Sequence, residues 1–248
     1  MIERETALEV KDMVRRMIWL TIASFAVLFS GLEAGAAELV VVEAHGIRLA
    51  AGTAVDGAKP LSLEEGQSVT LLSTSGQVVT LEGPLAVAPD DNFKGGSSDM
   101  AAAIRALASA RSARTSEVGV VRGENDVKLP DPWLVDVSHP GTVCVRPGQP
   151  VVLWREPPLA EVKVIFSPKD QSWHESGVWP ARADRLQLPA NMPLRDYTDY
   201  VIDLNGRLAP VTLRLIPQTV NNDAMRIGFM EQLGCGNQAG ALLAAYQK

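Results

Sequence analysis

The sequence has little of what most catalytic centres are built from. It holds two cysteines and three histidines in 248 residues, and His45, His139 and His174 stand far apart along the chain. No HxH, HExxH or DxDxDG spacing occurs, which leaves zinc and EF-hand calcium sites without a ligand set. There is no Walker loop and no GxSxG or SxxK motif, so P-loop nucleotide hydrolysis and serine acyl transfer have no local signature. No catalytic residue, metal ligand or cofactor is therefore assigned. Positive charge is short as well: the formal net charge is −6. The chain stays acidic once residues 1–36, with four basic and five acidic side chains, are set aside. A mildly acidic chain without a basic stripe is no match for nucleic acid or an anionic membrane surface.

An apolar run long enough to span a bilayer is also missing. The most apolar uncharged stretch is Met17 to Leu32, preceded by Arg15-Arg16 and followed by Ala34-Gly35-Ala36. This is the order of a secretory signal peptide, with cleavage between Ala36 and Ala37. A membrane span needs about 20 apolar residues, so a retained N-terminal anchor is the minority alternative. Glu3, Glu5, Glu9 and Asp12 are unusual upstream of such a leader, and translation from Met13 in place of Met1 gives a more conventional start. The surroundings of the arginine pair fit the twin-arginine motif poorly, which favours export of the unfolded chain. The expected location is the periplasm, with no stable membrane insertion after cleavage.

In an oxidising compartment the lone pair Cys144 and Cys235 reads as a disulfide, since no CxxC or Cys/His cluster competes for either thiol. Closing a loop of about 90 residues would stabilise the fold by roughly 4–5 kcal/mol in the chain-entropy model.

The expected fold is mainly β. A small β-meander module covers residues 37–88, a linker with a helix covers 89–128, and an antiparallel β-sandwich-like domain ending in a helical hairpin covers 129–248. In the first module Leu39 to Val42 is a continuous apolar run, and Leu61, Leu63, Val69, Leu71, Val79 and Leu81 fall on period-two spacings. Gly66-Gln67-Ser68-Val69-Thr70-Leu71 is echoed ten residues later as Gly76-Gln77-Val78-Val79-Thr80-Leu81, one strand plus one turn. Asp90, Asp91 and Asn92 read as a solvated turn, and Asp99 can cap a helix over Met100 to Arg114 whose apolar stripe is narrow. Strands are expected at Trp133–Val137, Thr142–Val145, Val151–Arg155, Glu161–Phe166, Arg185–Leu188, Tyr200–Leu204 and Pro210–Ile216. Helices follow at Asp223–Leu233, capped by Asn221 or Asn222, and at Gln238–Tyr246, with a break at Gly234-Cys235-Gly236.

The pattern Leu61-x-Leu63-x-x-Gly66-x-x-Val69-x-Leu71, with Gly76 and Leu81-Glu82-Gly83-Pro84 after it, resembles the small β-rich module of FecR-type periplasmic proteins. That resemblance implies a part in envelope signalling or scaffolding. The region from Trp133 onward is similar to the C-terminal part of alphaproteobacterial envelope proteins of no assigned activity. The matching features are Gly141-x-x-Cys144, Leu153-Trp154-Arg155, Trp179-Pro180, Gly234-Cys235, Gln238 and Leu242-Leu243. This second resemblance adds support to the Cys144–Cys235 bridge.

The best polar candidate surface is Ser172-Trp173-His174-Glu175, read as a stretch between strands with Trp179 nearby. Two tryptophans beside a histidine and a carboxylate can stack on a sugar ring or an aromatic ligand; the plainer reading is that both tryptophans fill the sandwich. Arg155, at the end of an apolar strand, is placed to stack on an aromatic face or to pair with a carboxylate. The composite expectation is a non-enzymatic envelope protein whose partner is an envelope protein or a cell-wall polymer. The alternative is a glycan hydrolase using dispersed carboxylates, Glu175 with Asp184 or Asp131, which would have to meet about 5–9.5 Å apart.

Overall fold

The computed structural model describes residues 38–93, 129–156 and 160–246. The leader, the Ala36/Ala37 cleavage point and the helix expected over 100–114 lie outside the described residues.

The N-terminal region contains β1 (Glu38–His45), β2 (Ala54–Asp56), β3 (Leu61–Leu63), β4 (Ser68–Leu72), β5 (Val78–Glu82) and β6 (Leu85–Val87). Four of them form an antiparallel sheet in the order β2-β1-β4-β5, and β3 pairs with β6. The ten-residue echo becomes a hairpin: Val69 pairs with Leu81 and Leu71 with Val79, while the Thr70 and Thr80 hydroxyls meet at 3.0 Å. The meander is thus interrupted, because β3 leaves β4 to join β6. The apolar run in β1 has a simple cause, since Leu39, Val40, Val41 and Val42 are all buried. Leu39 and Val41 enter one cluster with Leu63, Val69 and Leu71, whereas Val40 and Val42 enter another on the opposite side. A bulge between Val41 and Glu43 shifts the register against β4. Pro89–Asn92 is a single 3-10 turn, in keeping with the turn chemistry of its residues.

The second region contains β7 (Leu134–Asp136), β8 (Thr142–Val145), β9 (Val152–Trp154), β10 (Val162–Pro168), β11 (Glu175–Trp179), β12 (Arg185–Gln187), β13 (Thr198–Leu204) and β14 (Arg207–Leu215). A five-stranded sheet runs β11-β10-β13-β14-β8, and a three-stranded sheet runs β12-β9-β7. Their inner faces share one core: Val135 and Leu153 from the smaller sheet pack with Phe166, Tyr200, Ile202, Val211 and Leu213 from the larger. Alternation explains the inward set, because Val164 and Phe166 on β10, and Tyr200 and Ile202 on β13, are buried two residues apart. Most pairings are antiparallel. Two are parallel, β8 with β14 and β7 with β9.

One element departs from expectation. Glu175–Trp179, read as part of a loop, is the edge strand β11, paired with β10 from Val162↔Trp179 to Phe166↔Glu175. Four of its five residues are exposed and only Trp179 points inward, so the apolar alternation that marks a half-buried strand is missing.

Two helices close the chain, α1 (Asp223–Gln232) and α2 (Gly236–Tyr246). The Asn222 side chain caps α1 by accepting from the Met225 N–H at 2.9 Å, and its Nδ2 donates to the Thr74 carbonyl in the β4–β5 turn at 3.0 Å. The break falls at Gly234, whose φ of 90° lies in the region glycine reaches freely. Met225, Phe229, Met230, Ala239 and Leu242 from the helices pack with Val40, Val42, Leu72, Ile216 and Val220. The helical hairpin therefore supplies core to both β-rich regions. Gly76 and Gly228 make this possible, because a Cβ on Gly228 would stand 2.7 Å from the Gly76 carbonyl oxygen. No described helix is long and apolar enough to cross a membrane.

Candidate functional site

Arg155 and Trp179, which lie 24 positions apart in sequence, are brought together. The Arg155 guanidinium carbon lies 4.5 Å from the centroid of the Trp179 ring, and the indole is fully buried. Arg155 is itself 8% exposed and donates from Nη2 to the Pro180 carbonyl at 3.0 Å and from Nε to the Ala183 carbonyl at 3.3 Å. Burial lowers its pKa, but a guanidinium stays protonated at any physiological pH. Of its two expected partners, the aromatic face is the one used: among the described residues no ion pair joins Arg155 to a carboxylate. The arrangement holds β9 to the turn after β11, and its chemistry is that of a buried brace.

Trp173, His174 and Glu175 stand at the other end of β11. Four residues of extended strand separate Glu175 from Trp179, about 13 Å at 3.3 Å per residue. Trp173 is half-buried and closes an aromatic cluster, 5.9 Å from Phe166 and 6.0 Å from Tyr200. Phe166 and Tyr200 stack at 5.1 Å, and the Tyr200 hydroxyl accepts from the Arg195 N–H. His174 and Glu175 are exposed beside this cluster. The five candidate residues thus divide into a buried pair, Arg155 with Trp179, and a surface trio on the aromatic cluster. Of the carboxylates considered with Glu175, Asp184 lies in the turn after β11, where its backbone carbonyl accepts from Arg155 N–H, and Asp131 precedes β7 and accepts from the Trp133 N–H.

The disulfide joins Cys144 on β8 to Cys235 between the helices, with Cα atoms 5.8 Å apart across 91 positions. Gln238 reinforces it in a way the sequence does not announce. Its side-chain oxygen accepts from the Cys144 N–H at 2.6 Å, and its nitrogen donates to the Cys144 carbonyl at 2.9 Å. A buried glutamine amide thereby takes the place of a neighbouring strand at the edge of β8.

The outer face of the five-stranded sheet carries a depression of about 660 Å³, within the range of roughly 300–1,000 Å³ typical of small-molecule sites. Its rim includes Lys169, Asp170, Tyr197, Asp199, Thr212 and Arg214. Lys169 pairs with Asp199 at 3.5 Å, Asp199 accepts from the Thr212 hydroxyl at 2.8 Å, and Arg214 pairs with Asp196 at 3.2 Å. The Asp170 pKa is lowered, chiefly because its carboxylate accepts from the Ser172 N–H and then from the Ser172 hydroxyl, with the Arg195 charge adding to the effect. A hollow of about 340 Å³ adjoins it through Lys169, Asp199 and Thr212. A further one of about 190 Å³ adjoins through Thr142 and holds the Asp136–His139 pair, 2.8 Å between Oδ2 and Nδ1. The only hint of this surface in the sequence is the polar half of β13 and β14, where Asp199, Asp203, Thr212 and Arg214 alternate with core residues. Among the described residues no three His, Cys, Asp or Glu side chains gather as a cation site.

The sequence matches no protein-family model and no curated protein at a significant level.

Proposed function

We propose that the chain is an exported, non-enzymatic binding or assembly protein of the bacterial envelope, working in the periplasm. The observation that carries this reading is the buried Cys144–Cys235 disulfide, which closes a 91-residue span and ties β8 to the helical hairpin. Such bonds persist in oxidising compartments and are rare in the cytosol. The leader-like order of residues 1–36 gives a route to that compartment, and the FecR-type spacing over residues 61–84 gives a role of the scaffolding or signalling kind. The Arg155–Trp179 pair acts as a brace in this reading, and the open outer face of the larger sheet is the surface left for a partner.

Intact mass of the protein recovered from its native host, with and without reduction before alkylation, tests this directly. The expected result is a chain starting near Ala37 whose two thiols alkylate only after reduction. A mass retaining residues 17–36, or thiols that alkylate without reductant, would sink the periplasmic assignment. Saturable turnover of a wall glycan that is abolished by His174→Ala would sink the non-enzymatic one.

A further inference from the structure

Tyr197 is the most exposed large hydrophobic side chain of the described residues, 75% exposed, on the rim of the 660 Å³ depression. Its backbone sits at φ 54°, the left-handed region that bulky L-residues avoid. Strain of this kind persists where the surroundings enforce it, and here they do. Asp196, the preceding residue, accepts from the Leu215 N–H at 2.8 Å and from Arg214 Nε at 3.2 Å, which pins the turn to the end of β14. The Arg214 guanidinium then lies 4.7 Å from the Tyr197 ring centroid, backing one face of the ring. The ring is otherwise open to solvent and lines the depression. A ring that strain and a stacked cation hold outward, while it buries little area of its own, contributes less to the core than to whatever meets it.

The charges around the depression narrow the ligand. Lys169 is engaged by Asp199, Arg214 by Asp196, and Asp170 by the Ser172 N–H. An anionic ligand would have to compete with Asp199 or Asp196 for its cation. A neutral ligand rich in hydroxyls need not, since it can donate to carboxylate lone pairs and accept from the Lys169 ammonium and the Thr142 and Thr212 hydroxyls without displacing a charge. A pyranose also has a flat face of C–H groups that lies well on an aromatic ring. We infer that the depression is a saccharide site: Tyr197 is the stacking platform, Lys169, Asp170 and Asp199 are the hydrogen-bonding groups, and Asp196 and Arg214 position the ring. This deepens the envelope-binding reading and rests on it, with a neutral glycan strand as the ligand.

The test is calorimetric titration of the exported, disulfide-bonded protein with chitohexaose and, separately, with cellohexaose. Saturable binding with a dissociation constant on the order of 10–500 µM is expected. Tyr197→Gly is expected to weaken it about tenfold or more while leaving the melting temperature unchanged or higher, because glycine adopts this backbone freely. Tyr197→Phe should keep binding within about threefold, since the ring face is retained. Binding of chitohexaose alone supports an N-acetylated glycan, and binding of both sugars supports a platform for hexopyranoses in general. No saturation with either sugar at millimolar concentration overturns the proposal, as does equal binding by Tyr197→Gly. A lower melting temperature in Tyr197→Gly identifies the ring as structural and also overturns it. Should that variant fail to fold, Lys169→Ala reads the same site, with unchanged binding as the overturning result. The mass and thiol measurement reads export alone, so its outcome is separable from this one.

Discussion

At the scale of single residues, polar groups buried far from their sequence neighbours carry much of the specificity. Gln238 satisfies both backbone groups of Cys144 across 94 positions. Leaving one buried donor or acceptor unpaired costs about 1–3 kcal/mol, so Gln238→Leu should lower stability by roughly 2–4 kcal/mol with the disulfide intact. Urea denaturation of the oxidised protein measures this, and a loss near zero would mean that β8 is not held by that side chain. Gly228 presents a sharper contest. In an exposed helix Gly→Ala gains about 1 kcal/mol, yet here the new methyl would meet the Gly76 carbonyl oxygen at 2.7 Å. Overpacking typically costs about 1–3 kcal/mol, so Gly228→Ala is expected to destabilise by up to about 2 kcal/mol net. A stabilised variant would show that the β4–β5 turn yields.

Elements were legible wherever local chemistry specified them. Asn222 caps α1 as the Asn221-Asn222 pair implied, and Gly234 ends the helical run as expected. The cap has a second duty, the bond from Asn222 Nδ2 to Thr74, and two variants separate the roles. Asn222→Asp keeps the acceptor for Met225 N–H and loses only the Thr74 bond, while Asn222→Ala loses both. The alanine variant is expected to cost about 1 kcal/mol more than the aspartate one, the usual worth of an N-cap, as read from denaturation midpoints. If the two are equal, the cap contributes nothing. Strand β11 was illegible for the opposite reason. An edge strand with four exposed residues has no apolar period to display, and only its pairing with β10 makes it a strand.

For the whole molecule, the disulfide and the shared core decide how the parts hold together. Replacing both cysteines by alanine should cost about 4–5 kcal/mol in the chain-entropy model, and reduction of the natural protein should reproduce most of that loss. A double variant as stable as the oxidised protein would leave the bond without a structural role. Acid has a smaller, separate effect. Asp170 and Asp56 both have lowered pKa values, Asp170 through the Ser172 N–H and Asp56 through hydrogen bonding to Lys59. A carboxylate lowered in the folded state contributes stability that is present above its unfolded value, about 3.9, and that is lost as pH falls through the folded value. Asp170→Asn should therefore be less stable than the natural protein at pH 7, with the two converging as pH falls through the folded-state value of Asp170. Thermal melts across that range check the sign, and curves that stay apart in acid would reject it.

The order of residues by itself determined the β-rich class, most strand positions, both helices with their cap and break, and the one cysteine pairing two cysteines allow. These depend on interactions within a few residues, or on a choice with a single answer. Tertiary structure alone decided that β8 and β14 run parallel, that β3 leaves its neighbour for β6, and that Val40 and Val42 share a core with Phe229 and Leu242. It also turned Trp179 inward onto Arg155 and left Tyr197 outward on Arg214. The physical reason is that each tyrosine or tryptophan carries the same local signal whether it ends buried or exposed. Which one is buried follows from the register of strands brought together from distant parts of the chain, and only the assembled sheets set that register.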